Sequence, residues 1–502
     1  MYTTLHSWRE ECYIHFPRNR TVGTDSIYWF SVSCNINFGG KCLSKNHPYL
    51  PNSVPEIKKG MMEKIGISSI TELYSDIPDN LIYKGELDIP GPHSEAKVKR
   101  HVSRMLEENT TLKTVPFLGG GVWPHYVPSV VDEVIHRAEF LTSYTPYQPE
   151  ISQGILQAVF EYQSLVSELV GMDVTNASLY DWATGVGEAG LMSSRITRRK
   201  KLLVPDLMSP DRLAVLKVYT EPAGITVEAV GHDEATGLMD MEDLKGKADG
   251  ETAMVYIENP SYLGFAEANA AAIGEVAHEH KALFVVGVDP TSLGLMKAPG
   301  DYDADVVVGE GQPLGNHMSY GGPLLGLMSC KHDNRYIRQM PGRIIGLTET
   351  LKDQRQAFVM TLATREQHIR REKATSNICS NEALNAVAAG VYLSLMGPQG
   401  MKELSEHIMS KSGYAQKKIG ELPGVNAPVF DSFHFKEFTV NFQYKSLKEV
   451  NAALSAADIQ AGIPLNKSFP ELGETALYCV TEMHSKKDID LLVSILKEAL
   501  EG

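Results

Sequence analysis

The feature of this sequence that most constrains its fold is an alternation of short apolar runs with helical patterns between residues 180 and 330. The apolar runs are residues 201–204, 225–230, 254–257, 282–288, 305–308 and 324–328. Helical segments of about ten residues, such as 211–219 and 267–280, separate several of them. Nearly continuous β-branched runs joined by helices are typical of parallel strands that are covered on both faces. The sequence therefore predicts an α/β domain built on a parallel-type sheet.

The pattern changes on both sides of this region. Residues 1–46 hold half of the six cysteines and show no clear period, which predicts a poorly ordered appendage. Residues 47–115 give helical signals, with Pro55 well placed near a helix start. We expect the large α/β domain over residues 116–375 and a smaller α+β domain over residues 376–502. In the smaller domain, helices are predicted at 381–395, 401–422 and 488–500, and strands at 437–442 and 476–480.

Composition excludes several classes of function. The 502 residues carry a formal net charge of −15, whereas binding to nucleic acid or to an anionic membrane surface favours a basic footprint. No apolar run approaches the roughly 20 residues that span a bilayer. The six cysteines form no CxxC pair, and no Cys/His spacing indicates a zinc site. We expect a cytoplasmic protein with a small-molecule function and without a metal site.

One candidate for chemistry is Asp289, which closes the apolar run 282–288. Ligands of open α/β sheets bind beyond the carboxyl ends of the strands. A carboxylate at that place could hydrogen-bond the protonated ring nitrogen of pyridoxal phosphate. It could equally well open the turn 289–292, which is an ordinary structural role for aspartate.

A second candidate is the glycine-rich segment 183–190. Thr184 and Gly185 at the start of a helix could hold a phosphate on free backbone N–H groups. The segment also fits GxGxxG loosely, but no convincing strand precedes it, so a dinucleotide site is the weakest reading. Tight packing of the helix is the structural alternative.

The third feature is a missing lysine. A self-sufficient pyridoxal enzyme of this architecture needs a Schiff-base lysine shortly after the strand that follows the aspartate strand. That strand is predicted at 305–308, and residues 309–315 contain no lysine. The absence argues against a decarboxylase or aminotransferase that works alone.

Two further segments are dense in functional residue types. Residues 144–150 combine Tyr144, Tyr147, Gln148 and Glu150 on a proline-stiffened loop, which could pack on its own domain or form the wall of a site. Residues 364–373, which include Arg365 and His368, form a strongly charged run that we expect to be helical. Such a run is usually a solvated face, although its cationic excess could meet an acidic partner or a phosphate.

Read together, these stretches resemble the P-protein family of the glycine cleavage system, and specifically the first subunit of its two-chain form. The similarity extends from about Pro48 to near the end of the chain and leaves residues 1–46 outside. The matching segments are 144–154 (YTPYQPEISQG), 180–184 (YDWAT), 289–294 (DPTSLG), 309–312 (GEGQ), 321–323 (GGP), 340–343 (MPGR) and 364–379 (TREQHIRREKATSNIC).

The resemblance implies the fold of the aspartate-aminotransferase-like (fold type I) pyridoxal-phosphate enzymes. It implies an oxidoreductase, a glycine decarboxylase that passes the aminomethyl group to the lipoyl arm of the H-protein and works with the T- and L-proteins. It places the Schiff-base lysine and the pyridoxal phosphate in a second subunit, with which this chain would form a heterodimer or an assembly of two copies of each.

On this resemblance we assign no catalytic residue to the chain. The side chains expected at the interface or the substrate entry are His125, Tyr126, Tyr144, Tyr147, Gln148, Glu150, Arg365 and His368. Thr184, Gly185 and Asp289 would be vestigial cofactor contacts, and the ring of Trp182 could fill the former phosphate pocket, because many relatives have a small residue there. The alternatives are a purely structural or regulatory subunit and a self-sufficient pyridoxal enzyme.

Overall fold

The computed structural model describes residues 49–109 and 114–501, which form two units that divide near residue 110. The appendage predicted at residues 1–46 lies outside the described residues. The helices are α1 (Pro55–Ile65), α2 (Glu95–Glu107), α3 (Ser129–Ile135), α4 (Ala138–Leu141), α5 (Gln153–Val170), α6 (Trp182–Thr197), α7 (Pro210–Thr220), α8 (Met241–Lys247), α9 (Ala270–Glu279), α10 (Asn334–Gln339), α11 (Gln367–Arg370), α12 (Ala383–Gly420), α13 (Leu447–Ala456) and α14 (Lys486–Glu501). The strands are β1 (Val174–Thr175), β2 (Lys201–Pro205), β3 (Thr226–Val230), β4 (Thr252–Glu258), β5 (Leu283–Val288), β6 (Val306–Glu310), β7 (Gly326–Cys330), β8 (Ile344–Glu349), β9 (Gln356–Thr361), β10 (Val425–Asn426), β11 (Glu437–Phe442), β12 (Ile463–Pro464) and β13 (Thr475–Cys479).

The first unit, residues 49–109, consists of α1, α2 and three short 3-10 turns. Pro55 occupies the first position of α1, where its missing N–H costs no hydrogen bond, and Gly66 ends the helix at φ 84°. Neither α1 nor α2 contains a buried residue within the part of the chain that the structure describes.

The second unit is built around a seven-stranded sheet in the order β1-β7-β6-β5-β4-β2-β3. Strands β2 to β6 pair in parallel, which confirms the predicted α/β architecture. The sheet as a whole is mixed, because β7 runs antiparallel to β6, and β1 antiparallel to β7. The reason is the connection between β6 and β7, which is a loop without a crossover helix, so the chain returns beside β6 in the opposite direction.

Both faces of this sheet are covered. Phe284 and Val286 of β5 belong to a core cluster shared with α5, α9 and α12, whereas Leu283 and Val285 belong to a cluster shared with α6. Successive side chains of a strand point to opposite faces. Because both faces are buried, β5 is apolar at every position, which explains the continuous run in the sequence.

The glycine-rich segment lies inside α6 and packs closely on its neighbours. A Cβ atom at Gly187 would lie 2.7 Å from the ring of Tyr219 on α7, and one at Gly190 would lie 2.9 Å from Leu202 on β2. Side chains at these positions would push α6 away from α7 and the sheet.

The C-terminal part contains a four-stranded antiparallel sheet in the order β10-β11-β13-β12, and its core cluster includes residues of α13 and α14. Helix α12 is interrupted at Gly397 (φ 58°, ψ −178°), so it forms two arms that correspond to the helices predicted at 381–395 and 401–422. The boundary drawn between a large and a small domain at residue 375 stays a prediction.

The helix predicted at 364–373 is present only in broken form. Gln367–Arg370 is α-helical and lies between two 3-10 turns, Ala363–Arg365 and Arg371–Lys373, and Arg371 has a positive φ of 52°. The guanidinium of Arg365 instead donates to the backbone carbonyls of Ile337, Met340 and Gly342. These bonds attach the segment to the end of α10 and to the residues that follow it.

Candidate functional site

The carboxyl ends of β4, β5 and β6 meet the N-terminus of α6 at one place. The side chains that line the remaining space there include Trp123, Trp182, Arg212, Asp289, Phe435, Lys436 and Glu437. This is the position at which ligands of open α/β sheets bind.

Asp289 follows β5 and forms a buried ion pair with Lys436. Its Oδ2 atom lies 2.7 Å from Nζ of Lys436, and both side chains are almost completely buried. Its Oδ1 atom accepts hydrogen bonds from the backbone N and the Oγ1 of Thr291, at 3.1 and 2.7 Å. Asp289 therefore stabilises the turn 289–292, which was the structural alternative for this residue. It also pairs with the ammonium of Lys436, which the sequence did not predict.

Lys436 is the residue before β11, so its side chain reaches the site from the C-terminal part of the chain. Its Nζ atom lies 3.6 Å from the ring centroid of Trp123 and 3.0 Å from Nε2 of His125. A buried ammonium is stable only with such partners, and here a carboxylate, an aromatic face and an imidazole surround it.

His125 is buried between two charged groups. An ammonium can only donate, so Nε2 of His125 accepts from Lys436 and Nδ1–H donates to Oε2 of Glu482 at 2.8 Å. Burial and the neighbouring Lys436 lower the pKa of His125, which keeps the ring neutral. The other carboxylate oxygen of Glu482 accepts from the backbone N of Tyr126 at 2.7 Å.

The N-terminus of α6 is occupied by the protein itself. Asp181 caps the helix by accepting from the backbone N of Thr184 at 2.7 Å. A Cβ atom at Gly185 would lie 3.4 Å from Val308, so this residue is packed against β6.

Glu310, at the end of β6, reaches the same helix terminus. One of its oxygens accepts from the backbone N of Trp182 at 3.2 Å, and the other accepts from the backbone N atoms of Gln312 and Leu325, both at 3.0 Å. Burial raises the pKa of Glu310 to about 8 against the lowering effect of these donors. A phosphate bound here would need the backbone N–H of Trp182, and that N–H already donates to Glu310.

Trp182 fills the space above β5. A Cβ atom at Gly287 would lie 2.7 Å from Cζ2 of Trp182, so the ring lies directly on this strand. Its Nε1–H donates to the hydroxyl of Tyr256 at 3.0 Å, and the guanidinium carbon of Arg212 lies 3.8 Å from the ring centroid. Nε of Arg212 is 3.1 Å from the buried carboxylate of Glu258. Burial raises the pKa of Glu258, and Arg212 opposes this rise.

The residues present do not fit pyridoxal phosphate. The space left between them is about 10 Å³, which is roughly enough for a single water molecule. Residues 309–315 contain no lysine, and Pro313 and Leu314 stand in that loop. Lys436 is a lysine in the site, but its amine is held by Asp289 at the end where a pyridine nitrogen would lie.

A second group of candidate residues lies on the loop 144–150 and next to it. Tyr144, Tyr147, Gln148, Glu150 and His368 are exposed. The ring of Tyr147 is 5.6 Å from the ring of His368.

Buried groups hold this exposed loop in place. Arg343, itself buried, donates to the hydroxyl of Tyr147 at 3.3 Å and to the carbonyl of Cys379. The hydroxyls of Tyr144 and Ser380 are 2.7 Å apart. Tyr126 is also exposed, whereas His125 is buried and Arg365 is used to bind backbone carbonyls.

Sequence reasoning missed Lys436, Glu482, Glu310 and Arg343 as members of these sites. One signal was available: Lys436 and Glu437 interrupt an otherwise aromatic run, Phe433–Phe438, at the start of a predicted strand. Charged residues in such a run are often paired in the interior.

The described residues contain no group of three or more histidine, cysteine, aspartate or glutamate side chains placed to hold a metal ion. Across residues 49–109 and 114–501, no helix has both the length and the apolar composition to cross a membrane. Of the described cysteines, Cys330, Cys379 and Cys479 are free thiols.

The family profile described as glycine cleavage system P-protein matches residues 47–496. This chain belongs to the glycine cleavage system P-protein family. Among its relatives is a probable glycine dehydrogenase (decarboxylating) subunit 1 of Staphylothermus marinus, 51% identical over 464 residues that cover 91% of this chain and 98% of that protein. The protein of the same description from Thermococcus onnurineus is 49% identical over 90% of this chain and 99% of its own length.

Solved structures agree with this membership. A crystal structure of glycine decarboxylase (P-protein) of the glycine cleavage system, in inhibitor-bound form, matches with a TM-score of 0.80 and 36% identity, covering 91% of this P-protein family member and all of that chain. A sphingosine-1-phosphate lyase of Burkholderia pseudomallei (TM-score 0.61) and a NifS-like protein (TM-score 0.58) are each 13% identical and share the fold. The predicted fold type I architecture is confirmed.

Proposed function

We propose that this chain is the first subunit of a two-chain glycine decarboxylase that works in the glycine cleavage system. The relatives described as subunit 1 support this, because the chain covers 98–99% of their length. The description as a subunit implies a second chain. We propose that the two form a heterodimer, or an assembly with two copies of each, in the cytoplasm.

The observation that carries this proposal is the closed strand-end site. A space of about 10 Å³ cannot hold a cofactor, Lys436 is already paired with the carboxylate of Asp289, and Glu310 already accepts the backbone N–H of Trp182. We therefore place the pyridoxal phosphate and its lysine in the second subunit. The role of this chain is then to support and border a site that it does not contain.

The exposed loop 144–150 is the best candidate for that border. Its tyrosines, Gln148 and Glu150 offer hydroxyl, amide and carboxylate groups to a neighbouring chain. The buried Arg343 holds Tyr147 in place by donating a hydrogen bond to its hydroxyl. His368 and Tyr126 extend the set, and the buried His125 acts only by holding Tyr126 through Glu482. Rigid polar walls orient a substrate and exclude water from a neighbouring site.

The partners that follow from this function are the lipoyl H-protein, which receives the aminomethyl group, and the T- and L-proteins of the same system. The net charge of −15 supports neither nucleic acid nor a membrane surface as a partner.

Two other functions are less well supported. A self-sufficient pyridoxal enzyme needs an open site with a lysine, and the site here is filled. A purely structural subunit would need no exposed polar loop backed by a buried arginine, but it remains the alternative that the experiment must separate.

The test is an assay of glycine decarboxylation with H-protein, using this chain and its partner separately and together. We expect turnover only in the mixture. Tyr147→Ala and Glu150→Ala should then lower turnover, while Tyr444→Ala, another exposed tyrosine, should not. Unchanged turnover with both loop variants would support the structural subunit, and activity of this chain alone would overturn the proposal.

A further inference from the structure

The closed site contains a counterpart for each recognisable part of a pyridoxal phosphate molecule. That cofactor offers a protonated ring nitrogen, a flat aromatic ring and a phosphate. The chain keeps the two elements that would meet its ends, namely the carboxylate of Asp289 after β5 and the N-terminus of α6. Side chains of the same chain occupy both.

At the Asp289 end the replacement is the ammonium of Lys436. It lies 2.7 Å from Oδ2, the distance of a charge-assisted hydrogen bond, and both side chains are buried. Without a cation at this place, an ionised carboxylate would be left in an apolar interior, which is strongly unfavourable.

In the middle the replacement is an aromatic ring. Trp182 lies on Gly287, two residues before Asp289, and it is covered on its face by the guanidinium of Arg212 at 3.8 Å. Its indole N–H is bonded to Tyr256, so the ring is held in one orientation.

At the helix end the replacement is the carboxyl group of Glu310. It accepts one backbone N–H of α6, that of Trp182, and two from the connection between β6 and β7, those of Gln312 and Leu325. Left without an acceptor, these buried donors would each cost free energy.

We propose that Lys436, Trp182 and Glu310 together form an internal replacement for the cofactor. They close the former cofactor pocket, satisfy the groups that once bound the cofactor, and make the fold of this subunit independent of pyridoxal phosphate. The inference concerns this chain's own interior and holds whether or not the loop 144–150 borders the partner's site.

The experiment uses the complex of this chain with its partner and its cofactor. Hydrogen exchange is read by mass spectrometry on peptides of this chain that cover residues 181–190 and 287–295. The probe is pyridoxamine 5′-phosphate, which has the ring and the phosphate but no aldehyde to react with lysine. In the wild type we expect no change in exchange on addition of the probe.

In a Trp182→Gly/Lys436→Ala double variant we expect faster exchange in both peptides, and at least severalfold protection when the probe is added. A Lys486→Ala variant, which removes an exposed lysine, should behave as the wild type. Protection of the wild-type peptides would show that the pocket is open and would overturn the proposal. A folded double variant that the probe does not protect would overturn it as well.

If the double variant does not assemble, charge matching at Asp289 gives a second measurement. Lys436→Ala should lower the melting temperature of the complex by about 5 °C or more. Adding Asp289→Asn to that variant should recover part of this loss, because the uncompensated carboxylate is removed. A further fall in the melting temperature would contradict the replacement of a cofactor charge by Lys436.

Discussion

Nζ of Lys436 lies 2.7 Å from Oδ2 of Asp289, inside the site that would hold a cofactor in a self-sufficient enzyme of this fold. The pair joins the end of β5 to the start of β11, so it connects the seven-stranded sheet to the C-terminal sheet. An ion pair at this position can therefore both fill the pocket and connect the two sheets.

The first prediction concerns this ion pair. Lys436→Met should destabilise the subunit by about 3–5 kcal/mol, since the methionine leaves the carboxylate of Asp289 buried without a cation. Thermal or urea unfolding of the complex measures the effect. Lys486→Met, which breaks an exposed pair with Asp490, should have little effect. Equal losses for the two variants would contradict the assignment of a buried pair.

A second prediction is a loss of stability in acid. Burial lowers the pKa of His434 and of His484 to about 4, below the usual value of 6.5. Below pH 6.5 the unfolded chain binds protons that the folded chain does not, so the free energy of unfolding falls as the pH drops from 6.5 towards 4. Each histidine should contribute about 2 kcal/mol to this loss at pH 5.

Melting temperatures at pH 7.5 and pH 5.0 test this sign. His434→Asn, which can still donate to the carbonyl of Ser432, should lose less stability between the two pH values than the wild type. The exposed His407 provides the control, and His407→Gln should follow the wild type. A larger acid loss in His434→Asn would contradict the depressed pKa.

The α/β fold, the strand-end position of Asp289 and the absence of a lysine in residues 309–315 could be recognised from the sequence, because each depends on neighbouring residues. Continuous apolar strands, a strand-end aspartate and a lysine-free loop can all be read from adjacent residues. The partner of Asp289 could not, since Lys436 belongs to another sheet and only the tertiary fold brings them together. The burial of His125 and the antiparallel β7 depend on non-local packing and loop geometry in the same way.

A third prediction concerns the segment that carries Tyr126. Glu482 accepts from both His125 and the backbone N of Tyr126. Glu482→Ala would remove two bonds and leave a partly buried donor, a cost of about 1–3 kcal/mol. Hydrogen exchange of residues 124–128 should become about tenfold faster or more. Exchange unchanged in this segment would show that Glu482 does not hold it.

A fourth prediction concerns Arg343, which we regard as a positioning residue for Tyr147. A lysine cannot reach the hydroxyl of Tyr147, the carbonyl of Cys379 and the amide of Asn381 together. Arg343→Lys should lower kcat/KM of the assembled enzyme by roughly tenfold, and Tyr147→Phe by less. Arg355→Lys, at an exposed pair with Asp353, is the matched control. Equal activity of Arg343→Lys and Arg355→Lys would show that Arg343 does not position Tyr147.

On the proposed function, this subunit holds no cofactor and its partner does. The most direct test is borohydride reduction of this chain, its partner and their complex, each with excess pyridoxal phosphate, followed by peptide mass spectrometry. We predict a pyridoxyl-lysine on the partner alone and glycine decarboxylation only in the complex. A pyridoxyl group on a lysine of this chain, above all on Lys436, with decarboxylation by this chain alone, would contradict the proposed division between the two subunits.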